Sequence, residues 1–581
     1  MASPADGSVL AISEALTNVV WAPLKEGLDS VSLSANWMWP CKNPGEDARL
    51  YKAVEAASKF AIALGINIPT GKDSLSMTQK YGQDKVLAPG TVIISAGAEV
   101  SDVKKVLTPV LVNNPAYPLY HVDFSFDALK LGGSAFAQSL NQVGDEVPTV
   151  KNPDYFREAF NAIQHFIDQS WIVAGHDVSA GGLITALLEM CFSNVEGGLT
   201  IDLNSMAESD LIKLLFAENP GVLIQAREPK KVEKYLTDNG IGFAQIGVPA
   251  VERQINLEKN GTTYRFDIDQ LRDVWFKSSY LLERKQSTLA CAKARFENYK
   301  KQPLEFKYLT AFNGKFSKYA MTPDRKGRSG IKAAIIREKG VNGDREMAYT
   351  LWLAGFDVKD VHMTDLMSGL ETLEDVNMIV FVGGFSNSDV LGSARGWAGG
   401  FRYNETARKA LDAFYARPDT LSLGICNGCQ CMVELELTNP EDVEKPKMQH
   451  NDSHKFESEF ITVTIPENHS VMMKSLAGTK LGVWVAHGEG KFSLPYPENK
   501  YNIVAKYNYA GYPANPNGSD YAVAGICSAD GRHLAMMPHP ERAIFPWQCA
   551  AYPADRLNSD QITPWMEAFV NAREWVKSKK A

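Results

Sequence analysis

Apolar positions along the chain switch between a period near 3.6 and a period of two, which predicts alternating helices and strands. Residues 8–21 form an amphipathic helix. In 50–64, Leu50, Val54, Ala57, Ala61 and Leu64 share one helical face. The stretch 86–100 holds the apolar strand VIISAGAEV behind the turn pair Pro89-Gly90. NNPAYP (113–118) then breaks the pattern and predicts a boundary. Beyond it, LYHVDFS reads as a strand, 154–169 as a helix, WIVAGHD as a strand, 182–192 as a helix and VLIQA (222–226) as a buried strand. Residues 271–325 are charged and mostly helical, without a repeating core stripe, and read as a connector. From 326 the order is strand (IKAAIIRE), helix (344–354), strand (VNMIVFVGG), helix (404–415) and strand (LSLGIC). That order predicts a doubly wound parallel sheet. Ligands in such sheets sit beyond the carboxyl ends of strands, where Gly383-Gly384 and Cys426 fall. The predicted domains are therefore 1–112, 113–270, 271–325 and 326–581.

A chain of 581 residues exceeds what one hydrophobic core holds. With 45% hydrophobic and 22% charged residues, the composition is that of an ordinary globular protein. A net charge of −8 and a pI near 5.8 argue against nucleic acid as a partner. The longest basic cluster, 324–332, reads as a solvated linker. No run of about 18 apolar residues predicts a membrane span, and MASPADGSVL lacks the order of a signal peptide. Eight cysteines are too sparse for a disulfide scaffold, so a reducing, cytoplasmic location is expected. A chain that opens on a helix with no earlier strand is compatible with a fragment of something longer.

Candidate chemistry concentrates after LSL. Gly424-Ile425-Cys426-Asn427-Gly428 has the G-x-nucleophile-x-G spacing of a nucleophile elbow. Such a turn exposes the sulfur at a helix N-terminus, where the dipole favours thiolate. The Asn427 N–H and one from the Gly383-Gly384 loop, at Gly384, are the candidate oxyanion donors. Downstream, MMPHPER supplies a base and its orienter. In an extended segment His539 and Glu541 would share a face, completing a Cys426–His539–Glu541 triad. Two plainer alternatives exist. Cys426, Cys429 and Cys431 include a C-x-x-C, but the further ligands of a zinc site do not follow in apt context. A buried, inert Cys426 is the stronger alternative, and the downstream H-x-E weighs against it.

In the N-terminal half, Glu14 and Asn18 lie four apart on one helix face and suit a hard cation such as Mg²⁺. A capped or solvated helix face is the favoured reading of such a pair taken alone. His176-Asp177-Val178-Ser179-Ala180-Gly181-Gly182 joins a strand to a helix. Its glycines allow approach to a phosphate and Asp177 a metal contact, whereas a helix N-cap by Ser179 is the alternative. Gly71-Lys72-Asp73-Ser74 fails the spacing of a P-loop, and Gly132-Gly133-Ser134 is a weak phosphate-loop candidate.

GICNGCQ, MMPHPER, GGFSNSDVLG, HGEGKF and YPANPNGS together resemble the glutaminase domain of the phosphoribosylformylglycinamidine synthase family. SEALTN, SANWMW, GKDSLSM, LGGSAFAQ and HDVSAGGL resemble the second repeat of that family's synthetase region, itself similar to aminoimidazole ribonucleotide synthetase. Two departures are GGFSNSD, where the family commonly reads GGFSYGD, and Asp452 and Glu459, where it often has arginine. The resemblance implies an α/β multidomain chain: a synthetase-like α+β repeat, then a doubly wound, flavodoxin-like class I glutamine amidotransferase domain. It implies Cys426, His539 and Glu541 as the triad that releases ammonia from glutamine. It further implies Glu14, Asn18 and Asp177 as Mg²⁺ ligands and Ser179 as a contact to ATP or ADP. The ammonia would convert formylglycinamide ribonucleotide to its amidine. A family member carries an additional N-terminal synthetase half, for which this sequence has no counterpart, so that half is an expected partner in cis or in trans. A non-catalytic nucleotide-binding or regulatory fragment, and a related cysteine hydrolase of other amides, are the alternative functions.

Overall fold

Ser3 starts the first helix. Its hydroxyl accepts the Asp6 N–H at 3.4 Å and Pro4 fills the first helical position, so Pro4–Val19 begins earlier than the apolar pattern shows. The computed structural model describes residues 2–580. The chain divides into two compact units, one ending at Trp275 and one beginning at Phe276.

In the first unit, helices Pro4–Val19 and Glu46–Leu64 pack together beside a three-stranded sheet ordered Asn67–Ser74, Ser32–Met38, Thr91–Gly97. The buried stripe of the second helix is Ala53, Ala57, Phe60, Ala61 and Leu64. Val54, expected inside, is 43% exposed. The expected face is rotated because Phe60, the largest apolar side chain nearby, turns inward against Phe156.

A seven-stranded sheet follows, ordered Thr262–Asp267, Gln254–Lys259, Gly198–Asp202, Phe243–Ala250, Leu119–Asp123, Gly221–Ala226, Ile172–Asp177. It is antiparallel except where Gln254–Lys259 runs parallel to Gly198–Asp202. Side-chain alternation sends Val222, Ile224 and Ala226 to the core shared with helix Pro153–Asp168, and Leu223 to the core shared with helix Gly182–Phe192. Burial on both faces explains why VLIQA is apolar without alternation.

Of the stretch read as a helical connector, Ile268–Gln286 and Leu289–Asn298 are helices. Beyond Asn298 only the short turn Phe316–Tyr319 precedes the next strand. Helix Leu289–Asn298 is anchored through Arg295, which pairs with Glu283 (2.9 Å), Glu457 (3.0 Å) and Glu459 (3.6 Å) and lies over the Tyr512 ring.

The second unit is built on a nine-stranded sheet. Asp357–His362, Lys332–Arg337, Met378–Phe381, Leu421–Ile425 and His533–Met536 are parallel neighbours in that order. Val523–Cys527, Asn502–Tyr507, Glu457–Thr464 and Lys480–His487 extend the sheet antiparallel. The parallel half carries the expected strand–helix order. The antiparallel half was not legible, because its strands are joined by irregular loops rather than by helices with an apolar stripe.

Candidate functional site

The fully buried strand Leu421–Ile425 ends at Cys426, and helix Asn427–Glu434 starts at once. So abrupt a reversal puts Cys426 at φ 51°, in the left-handed region that costs a non-glycine residue about 1–3 kcal/mol. The turn is held by the Cys426 N–H, which donates to Met536 O at 2.9 Å. It is also held by the absence of a side chain at Gly424, where a Cβ would stand 2.5 Å from Gly428 O. The Cys426 thiol is buried and its Sγ–H points at Ala486 O, 3.4 Å away.

His539 is fixed by its N–H, which donates to Trp484 O at 2.8 Å. The segment after it is not extended, as the sequence had suggested. A single 3-10 turn, Pro540–Arg542, folds Glu541 back onto the ring. Imidazole Nδ1 meets Glu541 Oε1 at 2.6 Å, both side chains being essentially inaccessible. Proline at 540 favours that turn by fixing φ at its first position. Gly383 lies against nucleophile and base together: a Cβ there would be 2.7 Å from His539 Cε1 and 3.4 Å from Cys426 Cβ. The three predicted triad residues thus converge on one point.

Burial by itself would depress the His539 imidazole. The Glu541 carboxylate and the Cys426 sulfur outweigh it and lift the group to about 9. Nε2 of His539 and Oε2 of Glu541 are buried without a hydrogen-bond partner. A free Nε2 beside the sulfur is where a leaving group could take a proton. Cys429 and Cys431 sit wholly in the core of the following helix, their thiols pushed well above the usual range by burial.

The two expected oxyanion donors flank the sulfur's turn. Asn427 is the first residue of its helix, so its N–H has no acceptor within the helix. Gly384 stands at φ 146°, between the Asn342 N–H to Gly383 O bond (3.1 Å) and the Phe385 N–H to Gly340 O bond (2.9 Å). The Asn427 side chain ties the two loops, its Oδ1 accepting the Ser386 N–H at 3.1 Å.

The first unit holds a cavity of about 390 Å³ walled by Glu14, Thr17, Gly132, Gly133, Ser179 and Glu218, among others. Desolvation, and then the charges of Asp177 and Glu218, push the Glu14 carboxyl up; burial does the same to Asp177. Glu14 and Glu218 are carboxylates on a wall that carries no lysine or arginine among the described residues, a charge balance that fits a divalent cation carrying a phosphate, whereas Asp177 acts on Glu14 through its charge and is not on that wall. Asn18 is not on that wall: its Nδ2 donates to Glu14 O at 2.8 Å. Ser179 does not cap the next helix, whose N-cap is Gly181.

Several residues were not singled out from sequence. Glu218 accepts the N–H groups of Gly181 and Ala135 at 2.8 Å each, bracing two glycine-rich loops. His487 and Glu489 both lie in HGEG: the charge of His539 acts on the buried His487 ring, and the Glu489 carbonyl accepts from Gln430 Nε2 at 2.8 Å. The motif marked the segment, but no spacing rule assigned it a role.

Residues 330–576 match the family described as CobB/CobQ-like glutamine amidotransferase domain. Residues 1–99 match the FGAR-AT PurM_N-like domain and 121–257 the AIR synthase related protein, C-terminal domain. The probable phosphoribosylformylglycinamidine synthase, chloroplastic/mitochondrial, of Arabidopsis thaliana is 39% identical, over 98% of this chain and 42% of its own length. The phosphoribosylformylglycinamidine synthase of Homo sapiens is also 39% identical, over 97% of this chain and 44% of its own. The chain thus spans less than half the length of these curated relatives and aligns to their C-terminal part. Among solved structures, Thermotoga maritima PurLQS is 22% identical at a TM-score of 0.32, covering 43% of this chain and 99% of its own.

Proposed function

We propose that the chain belongs to the phosphoribosylformylglycinamidine synthase family, to the C-terminal part of whose members it is similar, and that its second unit hydrolyses glutamine at Cys426 to supply ammonia for amidine synthesis. The observation that carries this is the convergence of Cys426, His539 and Glu541 around Gly383. The Cys426 thiol gives its proton to His539 Nε2, and the thiolate attacks the γ-carboxamide carbon. The oxyanion forms between the N–H groups of Asn427 and Gly384. His539, kept protonated by its pairing with Glu541, gives that Nε2 proton to the departing nitrogen, and ammonia leaves a γ-glutamyl thioester on the sulfur. The neutral imidazole then takes a proton from water as the water attacks the thioester, and glutamate departs with the sulfur restored.

In the first unit, Glu14 and Asp177 would hold Mg²⁺, with Asn18 joining only if its exposed amide turned. Ser179 and the loop at Gly132-Gly133 would contact ATP or ADP. Bound there, the cation would offset phosphate charge. ATP would activate the amide oxygen of formylglycinamide ribonucleotide, and ammonia would displace the phosphate. The curated relatives are more than twice as long as the stretch matched here. We therefore assign the rest of the synthetase machinery to a further half, in cis or in trans. No helix among the described residues is long and apolar enough to cross a membrane; the reducing, cytoplasmic setting we assign rests on the sparseness of cysteine in the sequence.

The test is the release of glutamate from glutamine by the purified chain. Wild type should exceed Cys426→Ala by at least about 10³-fold. Equal rates would refute the assignment.

A further inference from the structure

Strand Lys480–His487 is the last strand of the nine-stranded sheet, and its backbone meets nucleophile and base together. Ala486 O accepts from the Cys426 thiol at 3.4 Å, and Trp484 O accepts the His539 N–H at 2.8 Å. An edge strand is held in the sheet by its single ladder neighbour. Here that neighbour is Glu457–Thr464, in a register that runs from Glu457 opposite His487 to Thr464 opposite Lys480. The neighbour is itself only half supported. Among the described residues it pairs with Asn502–Tyr507 at Val463 and Thr464 alone, so its opening residues, from Glu457 on, have a ladder on one side.

A helix of the connector holds that open end. Helix Leu289–Asn298 buries Cys291 and Ala292, and Arg295 follows them at the spacing of one helical face. Arg295 Nε pairs with Glu283 at 2.9 Å, one terminal nitrogen with Glu457 at 3.0 Å and the other with Glu459 at 3.6 Å. Glu457 and Glu459 stand two apart on their strand, so one guanidinium reaches both from the same side. The Tyr512 hydroxyl donates to Glu457 Oε1 at 3.0 Å and accepts from Arg295. Lys455, the other cation nearby, pairs with Glu283 at 2.9 Å. Glu457 is 2% exposed, and Arg295 is its ion-pair partner among the described residues. A carboxylate so deeply buried stays ionised at low cost only while a cation remains beside it.

We propose that Arg295 is a positioning residue of the glutaminase site, acting through Glu457, the strand pair and the two carbonyls that fix Cys426 and His539. This rests on the glutaminase assignment. Without the guanidinium, Glu283 keeps Lys455, whereas the Glu457 carboxylate has to turn out to water. The open end of its strand moves with it, and Lys480–His487 follows through the ladder. Ala486 O and Trp484 O then no longer set the spacing of sulfur and imidazole. The loss falls on the chemical step, because these carbonyls hold the reacting groups of the protein and not the substrate.

The test is glutamate release by the full chain, compared among wild type, Arg295→Gln, Arg295→Lys and the double variant Arg295→Gln/Glu457→Gln. All are assayed at a temperature where circular dichroism shows them folded. Arg295→Gln should lower kcat at least about tenfold, the scale on which a small misplacement of reacting groups acts. Its KM should stay within about twofold of wild type. The double variant leaves no charge buried at residue 457, and its kcat should return to within about threefold of wild type. A wild-type kcat in Arg295→Gln, whatever its melting temperature, would mark a merely structural role and overturn the proposal. A double variant as slow as the single one, or a raised KM at unchanged kcat, would overturn it too. Should Arg295→Gln not fold, Arg295→Lys decides. Its ammonium cannot span the carboxylates as the planar guanidinium does, so kcat should fall at least about threefold, and a wild-type kcat would overturn the proposal. A wild-type chain no faster than Cys426→Ala would refute the glutaminase assignment itself, and this proposal with it.

Discussion

Gly428 lies directly beneath Phe381: a Cβ on residue 428 would stand 1.9 Å from the Phe381 carbonyl oxygen. The contact is with backbone in the middle of a parallel sheet, where nothing flexible can yield. The helix that presents Cys426 can approach the strand Met378–Phe381 this closely only without a side chain there. Gly428→Ala should therefore push the elbow off the sheet. We expect glutaminase activity to fall to the level of Cys426→Ala and the second unit to lose about 1–3 kcal/mol of stability. Thermal melts beside the glutamate assay check both outcomes. A variant of wild-type activity would mean that this approach does not position the sulfur.

How much of this was legible beforehand differs between residues. Cys426 was legible because its turn needs glycines on both sides, and that need is written in the sequence as spacing. His539 and Glu541 were legible as a pair, although the reason given for their shared face was wrong: a 3-10 turn, not strand alternation, brings them together. Val54 misled because helical periodicity fixes a stripe only to within one residue when small side chains occupy it. The parallel half of the large sheet showed in its strand–helix order. The antiparallel half has strands such as Glu457–Thr464, whose neighbours are set by long-range pairing alone.

The charge on Glu541 raises His539 to about 9 against the opposing effect of burial. A raised histidine keeps its proton below that value and loses it above. Wild-type glutamine hydrolysis should therefore fall off as pH rises beyond about 9, where the imidazolium that protonates the leaving nitrogen is lost. In Glu541→Gln the ring loses its anionic partner, and the alkaline limb of the pH–rate profile should move to lower pH. The maximal rate should drop by about 10²-fold or more, the usual contribution of a positioned proton donor. An unmoved alkaline limb in this variant would assign that limb to another group.

Burial, and then the charges of Asp177 and Glu218, raise the Glu14 carboxyl, and the cavity it lines has no lysine or arginine among the described residues of its wall. A divalent cation would remove that repulsion. ATP with Mg²⁺ should raise the melting temperature of the chain more than ATP alone, and Glu14→Gln should abolish the difference while leaving the glutaminase rate of the second unit in place. Because the neutral amide relieves the same repulsion, the variant without ligand should melt no lower than wild type. A cation-dependent shift of wild-type size in the variant would remove Glu14 from the cation site.

Glu459 carries the remaining prediction. Its side chain is partly buried beside Arg295, Glu457 and Glu283, and one of its oxygens is buried without a hydrogen-bond partner. Burial raises its carboxyl to about 7; Arg295 opposes the rise, and Glu457 reinforces it. In the unfolded chain the group titrates at its ordinary value of 4.5. Between these two values the folded protein holds a proton that the unfolded chain has released. Stability must therefore decline as pH rises through that window and level off above about 7. Glu459→Gln removes the titrating group and supplies a neutral side chain of the same shape. Its stability relative to wild type should grow from pH 4.5 to 7 by about 1–3 kcal/mol and then stay constant. Urea denaturation followed at several pH values measures the difference directly. A variant less stable than wild type at pH 8 would show that the ionised carboxylate gains more from Arg295 than it loses by burial, and would reverse the sign argued here.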